Sequence, residues 1–134
     1  MKNGNAGTCN MDSSQTDKGI ISNAGAAKNF SDAAARMANG PTVVSFNVNS
    51  DVFSFYKSGI VMAYDDNCGT VGEYPNHQMV VVGLDTTGST PYWVIQNSWG
   101  TGWGDGGYFK AEVNDAGGSG TCSMWIDGLQ WVET

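Results

Sequence analysis

Positive charge is scarce in this 134-residue chain. Six Lys and Arg residues stand against 13 Asp and Glu, which gives a net charge of −7. The basic residues are scattered along the chain, whereas binding to nucleic acid phosphates needs clustered Lys and Arg. The composition therefore argues against nucleic acid as a partner.

Histidine is scarcer still, and no cofactor motif is present. His77 is the single histidine, and the three cysteines, Cys9, Cys68 and Cys122, lie far apart. One histidine and dispersed cysteines do not provide the ligands of a zinc site. No glycine-rich loop joins a strand to a helix in the pattern that binds phosphate. We therefore expect neither a metal nor a cofactor.

Long hydrophobic runs are also missing. No stretch is long and apolar enough to form a membrane-spanning helix, so we expect no membrane span. The segment after Lys2 has no apolar run and does not read as a signal peptide. Hydrophobic residues still make up 40% of the chain. With 134 residues, this composition predicts one domain, residues 1–134, with a modest core.

What the chain does contain is mainly short strand patterns. Such patterns cover residues 42–48, 59–62, 77–84, 92–96, 108–113 and, less clearly, the regions near 19–22 and 129–132. The run that starts at His77 is nearly continuous in apolar residues, as expected for a buried central strand. We predict an α+β fold with an antiparallel sheet that closes partly toward a barrel.

One helix is predicted between these strands. Ser31 is a candidate N-cap, Ala-rich sequence follows it, and Gly40-Pro41 ends the helical pattern. The aromatic-rich residues 51–57 predict a short helical turn that buries its rings. The helix content is therefore expected to be small.

His77 and Asn97 stand at matching ends of two predicted strands. Adjacent antiparallel strands would bring their side chains to the same end of the sheet. The Asn97 carbonyl could then accept the imidazole N–H and fix its tautomer, the role of the third group in a nucleophile–base–orienter set. Without further context, a lone histidine at a strand start is more often structural than catalytic.

The context is a tryptophan- and glycine-rich loop, Asn97-Ser98-Trp99-Gly100 followed by Gly102-Trp103-Gly104. With Asn76-His77 before a valine run, these motifs resemble the C-terminal half of papain-like cysteine proteases of the cathepsin L type. The resemblance extends from about Cys9 to the end of the chain. It implies the β-rich, right-hand domain of the papain-like fold, with His77 as general base and acid and Asn97 as its orienting residue.

The nucleophile of that family has no counterpart here. It lies in a Cys-Gly-Ser-Cys-Trp-like segment upstream of the histidine, and this chain has no such segment. The resemblance implies that an N-terminal half domain carrying the nucleophilic cysteine is the partner. It also implies that Cys9 pairs with that half and that Cys68 forms a disulfide with Cys122. Three free thiols in a reducing compartment are the alternative.

The resemblance also implies substrate-binding residues. Trp99 would cover the His77–Asn97 bond, although ordinary core packing is the simpler role. Trp103 would line the leaving-group side of the cleft. Residues at the positions of Ser45, Gln78 and Asp127 line the pocket for the substrate residue two before the scissile bond. A carboxylate at Asp127 would favour a basic side chain there, unless it is only a solvated loop residue.

Two hypotheses about function follow. In the first, the chain supplies the histidine and asparagine of a cysteine endopeptidase that acts on protein or peptide substrates through a thioacyl-enzyme, in a lysosome, a vacuole or outside the cell. The chain alone would then be inactive. In the second, it is a non-catalytic papain-like module that serves as a structural or interaction subunit.

Overall fold

The structure, a computed structural model, describes residues 21–63, 74–114 and 118–133. Seven strands form one sheet in these residues, in the order β1-β7-β2-β4-β5-β6-β3. The strands are β1 (Asn23–Ala27), β2 (Thr42–Phe46), β3 (Ile60–Val61), β4 (His77–Asp85), β5 (Tyr92–Gln96), β6 (Tyr108–Glu112) and β7 (Leu129–Glu133).

Three short helices accompany the sheet: α1 (Phe30–Met37), α2 (Asp51–Phe55) and α3 (Met124–Asp127), the last preceded by a 3₁₀ turn at Thr121–Ser123. The predicted α+β class is confirmed, and α1 is its main helix. None of the helices in the described ranges is long and apolar enough to cross a membrane.

The N-cap of α1 is Asn29 and not Ser31, so that prediction is wrong by two residues. The Asn29 side-chain oxygen accepts a hydrogen bond from the backbone N–H of Asp32 at 2.9 Å. Asn and Ser cap helices about equally well. The backbone of Asn29 is still extended, at φ −147° and ψ 163°, and the helix begins directly after it, at Phe30.

The core lies on one face of the sheet, because side chains alternate between the two faces of each strand. Met79 and Val81 of β4 point inward, as do Trp93 and Ile95 of β5, and all four are buried. Four aromatic rings, those of Phe46, Phe53, Tyr56 and Phe109, cluster in this core. Helices α1 and α3 add buried residues such as Ala33 and Met124.

The sheet is open, so the predicted partial closure toward a barrel is wrong. β1 and β3 are its two edges and do not pair with each other in the described residues. The sheet is also not wholly antiparallel, because β3 pairs with β6 in parallel. Within the described residues the first strand begins at Asn23, and residues 19 and 20 of the region predicted near 19–22 lie outside them.

The second face of the sheet is only partly covered. β4 is central, between β2 and β5, as predicted. Its burial nevertheless alternates: Val80 is half-buried, and Val82 keeps 36% of its surface exposed. Val43 on β2 is 37% exposed. The prediction of a buried β4 is therefore confirmed for the inward residues Met79 and Val81 and wrong for the outward residues, which stay partly exposed.

Candidate active site

Strand pairing brings His77 and Asn97 together. β4 and β5 pair antiparallel, with Val80 opposite Gln96. His77 opens β4, and Asn97 comes directly after β5, so both lie at the same end of the pair. The Nε2 atom of His77 lies 2.8 Å from the Oδ1 atom of Asn97. The two side chains thus form a direct hydrogen bond.

A second contact identifies the donor in this bond. The backbone N–H of Ser98 also donates to Asn97 Oδ1, at 2.7 Å. An amide N–H needs an acceptor, so the atom that faces both Ser98 and His77 must be the oxygen of the carboxamide. His77 Nε2 therefore carries a proton and donates it. In the neutral imidazole this leaves Nδ1 unprotonated, as a base would require.

Trp99 lies over the imidazole. The Trp99 and His77 rings are 5.0 Å apart between centroids and are inclined at 34°. Trp99 remains 43% exposed, so it is not a core residue. Its indole shields one side of the His77–Asn97 bond from water, which strengthens a hydrogen bond by lowering the local dielectric.

Trp103 is anchored beneath Trp99 and is half-buried. The two indoles meet edge to face at 5.2 Å. The Trp103 N–H donates to the Phe53 carbonyl at 2.6 Å, and its ring packs against Tyr56 at 5.6 Å. The Tyr56 hydroxyl in turn donates to the Gly59 carbonyl at 2.6 Å. Burial raises the pKa of Tyr56, so its hydroxyl stays protonated and can donate this hydrogen bond.

The loop between β5 and β6 is held by its own backbone. The Gly107 N–H donates to the Trp103 carbonyl at 2.8 Å, and the Asn97 N–H donates to the Gly107 carbonyl at 3.0 Å. Gly104 has a φ of +60°, and a Cβ there would lie 2.5 Å from the Tyr108 carbonyl oxygen. A side chain at position 104 would displace this turn, and with it the tryptophan pair.

Asn76 is a further positioning residue, a role that the sequence does not predict. Its Oδ1 accepts from the Val48 N–H at 3.0 Å, and its Nδ2 donates to Asn49 Oδ1 at 2.7 Å. Its backbone N–H donates to the Phe46 carbonyl at 3.0 Å. These bonds fix the backbone immediately before His77. The only sequence signal was its position next to the histidine, since its partners are 27 and more residues away.

The three predicted specificity residues share a pocket with His77. Ser45, Gln78 and Asp127 line this pocket of about 500 Å³, together with Pro75, Asn76 and His77. Ser45 is buried, whereas Gln78 and Asp127 are exposed. Asp127 ends α3, which follows two residues with left-handed backbone, Cys122 and Ser123. The pocket therefore has an acidic group at one side.

The described part of the chain offers no free thiol near His77. Cys122 is buried and disulfide-bonded. Cys9 and Cys68 lie outside the described residues. The predicted disulfide between Cys68 and Cys122 therefore also falls outside them and stays a prediction. Within the described ranges, no three His, Cys, Asp or Glu side chains gather in a group that could hold a metal ion.

Both the sequence and the fold of this chain are similar to those of known cysteine proteases. The family model described as "Papain family cysteine protease" matches residues 2–128. The chain is 42% identical over 86 residues to the oryzain gamma chain of Oryza sativa subsp. japonica. Its fold is similar to that of the bromelain protease from Ananas comosus, in complex with an inhibitor, with a TM-score of 0.68 and 28% identity over 84% of this chain.

A third similar protein is digestive procathepsin L 3 of Tenebrio molitor, with a TM-score of 0.72 and 26% identity over 97% of this chain. The matches cover only part of each relative. The oryzain match includes 63% of this chain but only 23% of the oryzain chain. The structural matches span 50% of the bromelain chain and 40% of the procathepsin chain. Because the family model covers most of its residues, this chain belongs to the papain family of cysteine proteases.

Proposed function

We propose that the chain supplies the general base and acid, His77, and its orienting residue, Asn97, to a papain-like cysteine endopeptidase. A partner segment, an N-terminal papain-like half domain, supplies the nucleophilic cysteine. The observation that carries the proposal is the 2.8 Å bond between His77 Nε2 and Asn97 Oδ1 under the Trp99 ring.

This arrangement supports a definite proton path. With Nε2 bonded to Asn97, Nδ1 is the nitrogen that takes the proton of the partner's thiol. The thiolate attacks the substrate carbonyl carbon, and imidazolium gives that proton to the leaving amine as the C–N bond breaks. His77 then takes a proton from water, which attacks the thioester and releases the acid and the thiol. Trp99 and Trp103 would line the leaving-group side of this site.

The partly uncovered face of the sheet supports the presence of a partner. Val43 and Val82 are each more than a third exposed, and Val43 and Val80 line a groove of about 300 Å³ that reaches Asn97. Exposed apolar groups that continue into a site are typical of a surface that another segment covers. Because this groove ends at Asn97, which bonds His77, a segment that packs on this face would border the His77–Asn97 pair.

The disulfide supports an oxidising location. Cys122 is disulfide-bonded, and disulfides persist mainly in secreted proteins and in compartments of the secretory route. This agrees with the expected lysosomal, vacuolar or extracellular site of action. A reducing compartment with three free thiols is correspondingly disfavoured.

The first test is reconstitution. The isolated chain is expected not to turn over a fluorogenic peptide and not to react with a thiol-directed active-site label. Mixing it with a nucleophile-bearing papain-like half domain, such as that of the oryzain relative, is expected to produce turnover. Turnover by the isolated 134 residues would contradict the proposal.

The second hypothesis, a non-catalytic module, predicts a different result. In that case the mixture would form a complex by size-exclusion chromatography without gaining activity. The DNA sequence before the codon for residue 1 provides an independent check. A Cys-Gly-Ser-Cys-Trp-like coding segment there favours the protease.

Substrate preference provides a further prediction. Asp127 lies on the pocket that adjoins His77, so Asp127→Asn is expected to reduce the preference for Arg over Leu at the second residue before the scissile bond. Because Asp127 is exposed, solvent screening limits the effect to about 1 kcal/mol, or roughly fivefold in the ratio of the kcat/KM values.

The measurement compares two peptides that differ only at that residue. Asp51→Asn is the matched control, because Asp51 is also exposed but lies at the start of α2 and does not line this pocket. An equal change in both variants would indicate a general effect of net charge. An unchanged ratio in Asp127→Asn would remove Asp127 from the specificity pocket.

A further inference from the structure

A potential modification site lies at the start of α1. Asn29-Phe30-Ser31 is the only Asn-x-Ser/Thr triplet with x other than Pro in the 134 residues. This triplet is the acceptor signal for N-linked glycosylation. We propose that Asn29 carries an N-linked oligosaccharide, transferred from a lipid diphosphate donor in the secretory route.

Exposure permits the modification. Asn29 and Ser31 are both exposed; Asn29 lies between β1 and α1, and Ser31 lies in the first turn of α1. Phe30 between them turns inward and packs against Trp93, with ring centroids 5.9 Å apart. The folded chain therefore holds the two polar residues of the signal outward, where a branched sugar finds open solvent.

The helix cap can survive the modification. In the transfer, Nδ2 of Asn29 bonds to the sugar C1, the C1–O bond to the diphosphate breaks, and the nitrogen loses one proton. The capping oxygen, which accepts from the Asp32 N–H at 2.9 Å, takes no part. Nδ2 also donates to Asp32 Oδ2 at 2.9 Å, and it retains one hydrogen after transfer.

A second observation, independent of the triplet, indicates the compartment. The oxidising conditions under which the Cys122 disulfide persists are those of the secretory route, where oligosaccharide transfer also takes place. The disulfide and the glycan would therefore be acquired in the same place.

The glycan would not obstruct the candidate active site. Phe30 contacts Trp93, which pairs with Leu84 near the end of β4, whereas His77 opens that strand. Leu84 lies seven residues after His77 along the strand, a distance of roughly 23 Å. Trp93 is fully buried in the core, so α1 covers the inner face of the sheet, opposite the exposed valines. An oligosaccharide at Asn29 thus leaves both the pocket and the valine face open.

The test uses the protein purified from the cells that produce it, and the same chain secreted from a eukaryotic host behind a heterologous signal peptide. Trypsin releases residues 29–36, because it cleaves after Lys28, which precedes this peptide, and after Arg36, which ends it. Peptide N-glycosidase is applied to the intact protein first, since the enzyme does not act on an amino-terminal asparagine. We expect residue 29 to be recovered as Asp, with one glycan lost from the intact mass.

Three variants test the assignment. Ser31→Ala removes the signal but keeps the Asn29 cap, and Asn29→Ser keeps a capping oxygen but removes the acceptor nitrogen; both are expected to lose the glycan completely. Ser31→Thr retains the signal and is expected to keep it. Recovery of the 29–36 peptide only in unmodified form, from either source, would overturn the proposal. So would a glycan that persists in Ser31→Ala. Neither result affects the reconstitution test.

Discussion

Replacing His77 by Ala in the reconstituted enzyme is expected to lower kcat/KM on the order of 10³- to 10⁴-fold. The imidazole would perform every proton transfer in the proposed reaction, and positioned acid–base groups contribute about 10²–10⁴-fold. The loss exceeds the lower end of this range because His77 would also hold the nucleophile as a thiolate. Steady-state kinetics on a peptide substrate measures the effect.

The thiolate gives a second readout that does not depend on turnover. A cysteine beside imidazolium has a pKa of about 3.5–7.5, against about 8.5 for a free thiol. In the unmodified complex, alkylation by iodoacetamide should therefore remain rapid in mild acid. In His77→Ala its pH dependence should move to the range of an ordinary thiol. The Thr101→Ala variant, in the exposed loop between Trp99 and Trp103, serves as the control and should alter neither quantity.

A His77→Ala complex that retains full kcat/KM would exclude His77 as the catalytic base. A large loss of turnover without any shift in the alkylation profile would indicate that His77 acts only in the later proton transfers. Loss of assembly between the halves would change both readouts in the same direction, so size-exclusion chromatography of the His77→Ala mixture is needed to show that the complex still forms.

The proximity of His77 and Asn97 could be predicted because it depends on strand order and on alternation alone. Both residues stand at strand ends in the sequence, and pairing of neighbouring antiparallel strands fixes the rest. The same reasoning could not identify Asn76 as a positioning residue. Its bonds go to Val48 and Asn49, which are near only after the chain has returned from β2 to β4.

The errors in the predicted fold also have physical causes. The valine run of β4 looks fully buried because hydrophobicity does not reveal which faces of a sheet are covered. Ser31 and Asn29 are equally suitable caps by side-chain chemistry, so the sequence cannot choose between them. Only the backbone geometry identifies Asn29 as the cap. Sheet closure is a property of the edge strands β1 and β3, whose local sequences contain no signal for pairing with each other.

Replacing Phe109 by Ala is expected to produce the largest loss of stability among single core substitutions in the aromatic cluster. Phe109 is fully buried, and its ring lies 4.8 Å from that of Phe53, 5.0 Å from that of Tyr56 and 5.8 Å from that of Phe46. Removing such a ring costs about 3–5 kcal/mol, through lost transfer free energy and the cavity that remains.

That loss is a large part of the roughly 5–15 kcal/mol that stabilises a typical domain. Urea denaturation of the chain should therefore show a much lower midpoint with an unchanged slope. Phe55→Ala is the matched control, because Phe55 is 75% exposed and its truncation should change the free energy of unfolding by less than about 0.5 kcal/mol. Equal midpoints for the two variants would contradict the observed division between core and surface.

The Phe109 variant also tests how the core supports the site. Phe109 lies 6.5 Å from Trp103, which packs against Trp99, which in turn lies over His77. Loss of the ring beneath Trp103 should loosen this stack even where the chain stays folded. The tryptophan emission of folded Phe109→Ala should shift to longer wavelength, while that of Phe55→Ala should not. An unshifted emission would mean that the Phe53 carbonyl and Tyr56 are sufficient to hold Trp103 in place. The position of the His77 imidazole would then not depend on the Phe109 ring.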